Sequence, residues 1–80
     1  MDELNIVGIR IDDRGDRATS VQHVLTRYGT KIIGRFGVPA PDKTDGVIAL
    51  IMKSDAGDIE NLSADLRKID GVTVNSMHLG

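Results

Sequence analysis

The sequence of 80 residues contains no cysteine, and this absence excludes a disulfide framework, a thiolate-held iron–sulfur cluster and a thiol nucleophile. Aromatic residues are almost as scarce, with one Phe, one Tyr and no Trp, so we do not expect a platform that stacks RNA bases. The formal net charge of −2 gives no general attraction to nucleic acid or to an anionic membrane. We therefore expect no direct nucleic-acid or membrane partner.

Long hydrophobic runs are also missing. No apolar stretch approaches the ~20 residues that a membrane-spanning helix needs. The first residues, Met1-Asp2-Glu3-Leu4, are acidic and lack the apolar segment of a signal peptide. The sequence therefore predicts a cytoplasmic protein, and its length predicts one small domain over residues 1–80.

Hydrophobic patterning indicates four strands and two helices. Val7, Ile9 and Ile11 recur with period two, as in a strand with one buried face. From Arg17 to Tyr28 the apolar residues follow helical spacing instead. In chain order, the predicted elements are a strand over 5–12, a helix over 17–28, strands over 32–38 and 47–52, a helix that begins within 54–58 and ends at Gly71, and a strand over 72–79.

This β-α-β-β-α-β order predicts an α+β fold. Right-handed crossovers convert it into one antiparallel sheet of strand order 4-1-3-2 with both helices on the same face. The two most apolar strands, the first and the third, then lie in the centre, and the glycine-interrupted second strand lies at an edge. We expect a ferredoxin-like two-layer sandwich.

The second face of this sheet has no cover within the chain, yet the third strand is apolar on both faces. Its two alternating sets are Ile48, Leu50, Met52 and Val47, Ala49, Ile51. Leaving three large apolar side chains in water would forfeit roughly 1.5–3 kcal/mol each. We expect a symmetric homo-oligomer, a dimer or a tetramer, to cover this face. The predicted interface residues are Ile6, Ile48, Leu50 and Met52. In an alternative interpretation, long side chains such as Arg10 and Arg35 fold over the face.

Two stretches are candidates for ligand binding. The turn that holds Asp13, Arg14 and Gly15 lies where the first strand meets the first helix, and backbone N–H groups at a helix start bind anions. Its alternative is an ordinary turn with a capping carboxylate. Arg35 stands between Gly34 and Gly37 and offers a fork of donors to a carboxylate or phosphate. Its alternative is a solvated arginine on a twisted edge strand.

Catalytic and metal-binding patterns are weak. His23 and His78 are far apart in sequence, and the acidic residues form no calcium loop. Neither histidine has a recognisable nucleophile context, and no glycine-rich nucleotide loop is present. The sequence thus predicts neither an enzyme nor a bound metal or cofactor.

Several motifs resemble those of ACT-like regulatory domains. These motifs are Ile11-Asp12-Asp13-Arg14-Gly15 before a helix and Ile32, Ile69-Asp70-Gly71-Val72 at the last strand, Leu62-Ser63-Ala64-Asp65-Leu66 in the second helix, and Gly34-Arg35-Phe36-Gly37-Val38-Pro39. Over residues 4–79 the chain is most similar to the small stand-alone regulators assigned to the iron-only hydrogenase system. The C-terminal domain of nickel-responsive regulators has a related fold, but its Cys and His cluster is not matched here.

This resemblance implies an oligomeric ACT-like domain that senses a ligand or signal. ACT domains bind small effectors at subunit interfaces near the first strand–helix turn, which corresponds here to Asp13, Arg14 and Gly15. The sequence and the resemblance together predict a regulatory, ligand-sensing homo-oligomer. The alternative function is a structural interaction module that docks its apolar sheet face on a larger protein.

Overall fold

The computed structural model describes residues 3–12, 17–38 and 46–80 and confirms the predicted fold. All four strands pair antiparallel in the order β2-β3-β1-β4, which is the predicted 4-1-3-2, and two helices accompany them. The elements are β1 (Glu3–Ile11), α1 (Arg17–Arg27), a 3₁₀ turn (Gly29–Lys31), β2 (Ile32–Val38), β3 (Gly46–Ser54), α2 (Ala56–Arg67) and β4 (Val72–His78).

The hydrophobic core lies between the helices and one face of the sheet, which we name the helix face. On β1 it takes the predicted alternating set Val7, Ile9 and Ile11, all buried. The helices contribute buried residues at the spacing of one helical face. These residues are Val21, Val24 and Leu25 of α1 and Ile59, Leu62 and Leu66 of α2.

The predicted interface residues of β3 were assigned to the wrong face. Ile48, Leu50 and Met52 are buried in the core, with 7%, 0% and 0% of their surface exposed. Alternation with period two defines two faces of a strand but does not say which one the helices cover. The pairing decides it, because Leu50 lies opposite Val7 and Ile48 lies opposite Ile9. These three residues therefore cannot form an interface between chains.

The other set of β3 faces away from the helices, on what we name the open face. It consists of Val47, Ala49 and Ile51, and Val47 and Ile51 are 45% and 44% exposed. Ile6 pairs with Ile51 in the β1–β3 register, so it lies on the open face, where the sequence analysis placed it.

Polar contacts link the segment after α1 to α2. Asp55 caps α2, its carboxylate accepting a hydrogen bond from the Asp58 N–H at 2.9 Å. The Asp58 carboxylate in turn binds Lys31 Nζ at 2.6 Å, and this hydrogen bond lowers the pKa of Asp58. The Tyr28 hydroxyl donates to Asp65 of α2 at 3.0 Å. The pKa of Tyr28 is raised, mainly by burial of its hydroxyl. Side chains around α1 thus hold α2 in place.

The turn between α2 and β4 holds the start of α1. Arg17 Nε donates to the Asp70 carbonyl at 2.5 Å, and the Asp12 N–H donates to the Gly71 carbonyl at 2.9 Å. Gly71 has φ +81°, and a Cβ there would collide with the Arg17 side chain. Asp12 at the end of β1 and Arg17 at the start of α1 are therefore both anchored at Asp70 and Gly71.

Candidate functional site

The open face of the sheet carries a broad apolar surface on all four strands. Its most exposed members are Phe36 on β2 and Met77 on β4, at 67% and 59%. The apolar residues at open-face positions of the register are Leu4, Ile6, Phe36, Val38, Val47, Ala49, Ile51 and Met77. Contiguous apolar surface of this kind marks an interaction site in soluble proteins.

A β-bulge in β2 brings Phe36 and Val38 to this surface. Ile32 pairs with Met52, whereas Gly34 pairs with Ile51, so Ile33 is one residue in excess. A bulge reverses the alternation of every residue that follows it. Phe36 and Val38 consequently lie on the open face, although neither is among the predicted interface residues. Gly34 was the available signal, since a glycine inside a strand often marks a bulge.

The same bulge turns Arg35 to the helix face. Arg35 pairs with Leu50, and its guanidinium donates to the side-chain oxygen of Gln22 on α1. The alternative interpretation is therefore wrong for Arg35, whereas Arg10 pairs with Val47 and does lie on the open face. Arg35 instead lines a cleft of about 360 Å³ between α1 and β2, whose walls are otherwise mostly apolar. The other lining residues are Leu25, Thr26, Gly29, Ile32, Ile33 and Gly34.

The other predicted ligand-binding residues, Asp13, Arg14 and Gly15, lie outside the described residues. Their flanks are described, and these are held by the turn at Asp70 and Gly71.

The two histidines are not brought together. His23 is exposed on α1, and His78 at the end of β4 contacts the Glu3 carboxylate through Nε2. Within residues 3–12, 17–38 and 46–80, no three His, Asp or Glu side chains are grouped so that they could hold a metal ion.

A second cleft, of about 340 Å³, lies between the start of α2 and the end of β4, and no prediction from the sequence includes it. Glu3, Asn5, Glu60, Ser76 and His78 supply its polar lining. Asn5 is 5% exposed, and its Nδ2 has no hydrogen-bond partner among the described residues. No sequence motif marks this cleft, because its residues come from three separate elements.

A family model described as "TM1266-like: Iron-only hydrogenase system regulator, putative" matches residues 3–76. The chain belongs to this family. The resemblance predicted from the Gly34–Pro39 motif is thereby confirmed. No curated protein matches the chain.

Solved structures similar to this member of the TM1266-like family include that of the uncharacterized protein TM1266 from Thermotoga maritima. Its TM-score is 0.94 at 29% identity, and the match covers 100% of both chains. The ACT domain of a GTP pyrophosphokinase from Chlorobium tepidum gives a TM-score of 0.81 at 24% identity and covers 96% of this chain and 100% of that one.

A more distant match is an ACT domain protein from Streptococcus pneumoniae, with a TM-score of 0.64 at 12% identity, over 98% of this chain and 91% of that one. At these identities the two ACT domains show a shared fold and nothing further about this member of the TM1266-like family. In the part of the chain that the structure describes, no helix has the length and hydropathy needed to cross a membrane.

Proposed function

We propose that this chain is a regulatory, ligand-sensing ACT-like module that acts as a homo-oligomer and carries no catalytic activity of its own. Membership of a family described as regulators of the iron-only hydrogenase system supports the regulatory role. The ACT-like fold supports effector sensing, by analogy with the ACT domains that share it. The regulated process would then be the one that the family description names.

The observation that carries the oligomer is the apolar open face. Ile51, Val47 and Val38 are each close to half exposed, and Phe36 and Met77 more than half. Covering a large apolar side chain contributes about 1.5–3 kcal/mol when it is fully buried. Five half-exposed side chains thus represent several kcal/mol, a sizeable part of the ~5–15 kcal/mol stability of a typical domain. A second copy of the chain supplies this cover without any further partner.

The effector site in this proposal includes the β1–α1 turn and Arg35. Asp13, Arg14 and Gly15 correspond to the turn near which ACT domains bind effectors. Arg35 adds a guanidinium to the lining of the cleft between α1 and β2, beside apolar residues, an arrangement that suits a small anion with an apolar part.

A thermal-shift screen against amino acids, nucleotides and divalent metal salts tests ligand sensing. A compound at one hundred times its Kd adds about 2.7 kcal/mol to the free energy of unfolding. For a domain of this size, each kcal/mol corresponds to about 4–8 °C in Tm. We expect one chemical class to raise Tm strongly and the shift to disappear in Arg14→Ala and Arg35→Ala.

Lys68→Ala is the matched control, because it removes an exposed cation at the end of α2, away from the cleft. Its shift should equal that of the wild type. A flat panel, or a shift that both arginine variants retain, would contradict this effector site.

The same open face favours a second candidate function, a structural module that docks on a larger protein. It predicts that the purified chain is a monomer at micromolar concentration and captures one stoichiometric partner through the open face. A dimer or tetramer of the isolated chain would reject this alternative.

A further inference from the structure

The open face has a pattern of protruding and recessed positions that runs across the sheet. Strand pairing arranges its residues in rows from β2 through β3 and β1 to β4. We name them the upper, middle and lower rows, and the pattern differs from one row to the next. The upper row is Val38–Val47–Arg10–Thr73, the middle row is Phe36–Ala49–Gly8–Asn75, and the lower row is Gly34–Ile51–Ile6–Met77.

The middle row protrudes at β2 and is recessed at β1. Phe36 is 67% exposed and has small Ala49 beside it and Gly8 beyond. A Cβ on Gly8 would have only the Asn75 carbonyl oxygen near it, at 3.9 Å, so packing within the described chain does not require glycine there. The absent side chain contributes to a depression of about 360 Å³ that Arg10 and Asn75 also line.

The lower row has the opposite arrangement. Its protruding residue, Met77, lies on β4 and is 59% exposed, whereas β2 has Gly34 at the same height. Large residues therefore stand at the β2 edge in the middle row and at the β4 edge in the lower row. The row of Phe36 contains Gly8 on β1, and the row of Met77 contains Gly34 on β2.

The geometry points to a face-to-face dimer whose two-fold axis lies between the sheets and runs parallel to the strands, so that β2 of one copy packs over β4 of the other. This operation keeps every row at its own height and reverses its order. Phe36 then lies over Asn75 of the second copy, a residue that lines the depression beside Gly8. Met77 meets Gly34 of the second copy, and Ile51 meets Ile6.

The other face-to-face two-fold axis, across the strands, fits the pattern poorly. It would place the middle row over itself, with Phe36 against Phe36 and Gly8 against Gly8 of the second copy. The two Phe36 side chains would collide at one edge, and neither would reach the depression beside Gly8. Sheet faces pack about 10 Å apart and need interdigitating side chains to fill that space.

The size of the face fits a second copy as the occupant. Four strands spaced about 4.8 Å apart and seven to nine residues long cover about 450–570 Å² in projection. The accessible area of a side-chain surface exceeds its projection, which brings each copy toward the ~800 Å² per partner of a standard interface. A surface that holds both the protrusions and the matching recesses is self-complementary, as an isologous dimer requires.

This inference rests on the homo-oligomer proposed above, and cross-linking tests its geometry directly. The chain has no cysteine, so introduced thiols are the only ones present. The axis parallel to the strands places Val38 of one copy opposite Thr73 of the other. A mixture of Val38→Cys protein and Thr73→Cys protein should therefore give a cross-linked dimer when it is treated with a short bismaleimide. Phe36→Cys alone should not cross-link, since the two β2 strands lie at opposite edges of the dimer.

A glycine pair tests the recess without removing any core residue. Gly8→Val fills the depression and should raise the dimer Kd about tenfold or more, as loss of a central contact does. Gly37→Val is the matched control: it also adds a branched side chain to a strand, but Gly37 pairs with Ile48 on the helix face and a Cβ there meets nothing among the described residues. Its dimer Kd should stay unchanged.

The outcomes separate this geometry from the oligomer itself. Cross-linking of Phe36→Cys alone would show the axis across the strands and overturn the inference while keeping the oligomer. So would a stable dimer in which Gly8→Val has no effect. A monomer at every concentration would reject the proposed homo-oligomer together with its geometry.

Discussion

The two faces of β3 are built from similar residues but differ in what covers them. On β3, the helix face carries Ile48, Leu50 and Met52, and the open face carries Val47, Ala49 and Ile51. The first set is buried by α1 and α2, whereas Val47 and Ile51 stay almost half exposed. Composition therefore does not distinguish core from interaction surface in this strand. The position of the helices makes the distinction, because they can cover only one face of the strand.

The largest difference between the faces should appear on truncating Leu50. It is fully buried, and Leu50→Ala leaves a cavity under the helices, so we expect a loss of about 2–5 kcal/mol in the free energy of unfolding. Val47→Ala on the open face is the comparison and should cost well under half as much in dilute protein. Urea unfolding followed by circular dichroism measures both. Equal losses would mean that the two faces are packed alike.

A smaller loss is expected where the helix layer is anchored. Gly71→Ala imposes a side chain at φ +81° and against Arg17, so we expect about 1–3 kcal/mol of destabilisation. Gly29→Ala is the control, because a Cβ there meets nothing among the described residues. The same unfolding experiment applies. An unchanged Gly71→Ala protein would show that this turn does not constrain α1.

The smallest effect concerns the ion pair of Lys31 and Asp58, which lies on the helix side. The pKa of Asp58 is lowered in the folded state, so its contribution to stability is present above its unfolded value of 3.8 and is lost as the pH falls below it. When the pH falls from 4 to more acidic values, the free energy of unfolding should therefore decrease less for Lys31→Met than for the wild type. Urea midpoints measured across that range give the slope. Identical slopes would contradict the assignment.

Much of the fold could be predicted because periodicity is a local property. The alternation of Val7, Ile9 and Ile11 and the helical spacing after Arg17 each specify an element without knowledge of its partners. The order of the elements then left one arrangement, which the structure confirms. The buried face of β3 could not be predicted in this way, because both of its alternating sets are apolar. Only the pairing with β1 shows which set the helices cover.

The interaction surface could be predicted only in part. Ile6 lies on the open face as expected, but Phe36 reaches it only through the bulge at Ile33, which shifts the register by one residue. A single extra residue does not change the composition of the strand, and β2 is too short for its periodic pattern to reveal the shift. Arg35 was placed correctly on β2, yet its turn toward Gln22 depends on the same bulge. The effector role of Asp13, Arg14 and Gly15 stays a prediction.

The most direct test of the central claim is sedimentation of the wild type and of Ile51→Asp over micromolar concentrations. A carboxylate buried at position 51, on a central strand of the open face, would oppose association strongly, because charged groups are costly to remove from water. We predict a dimer or larger oligomer for the wild type, a folded monomer for Ile51→Asp, and wild-type behaviour for Ile33→Asp, which changes an equally apolar, exposed residue at the bulge. A wild-type monomer throughout, or an Ile51→Asp protein that still associates, would contradict the account.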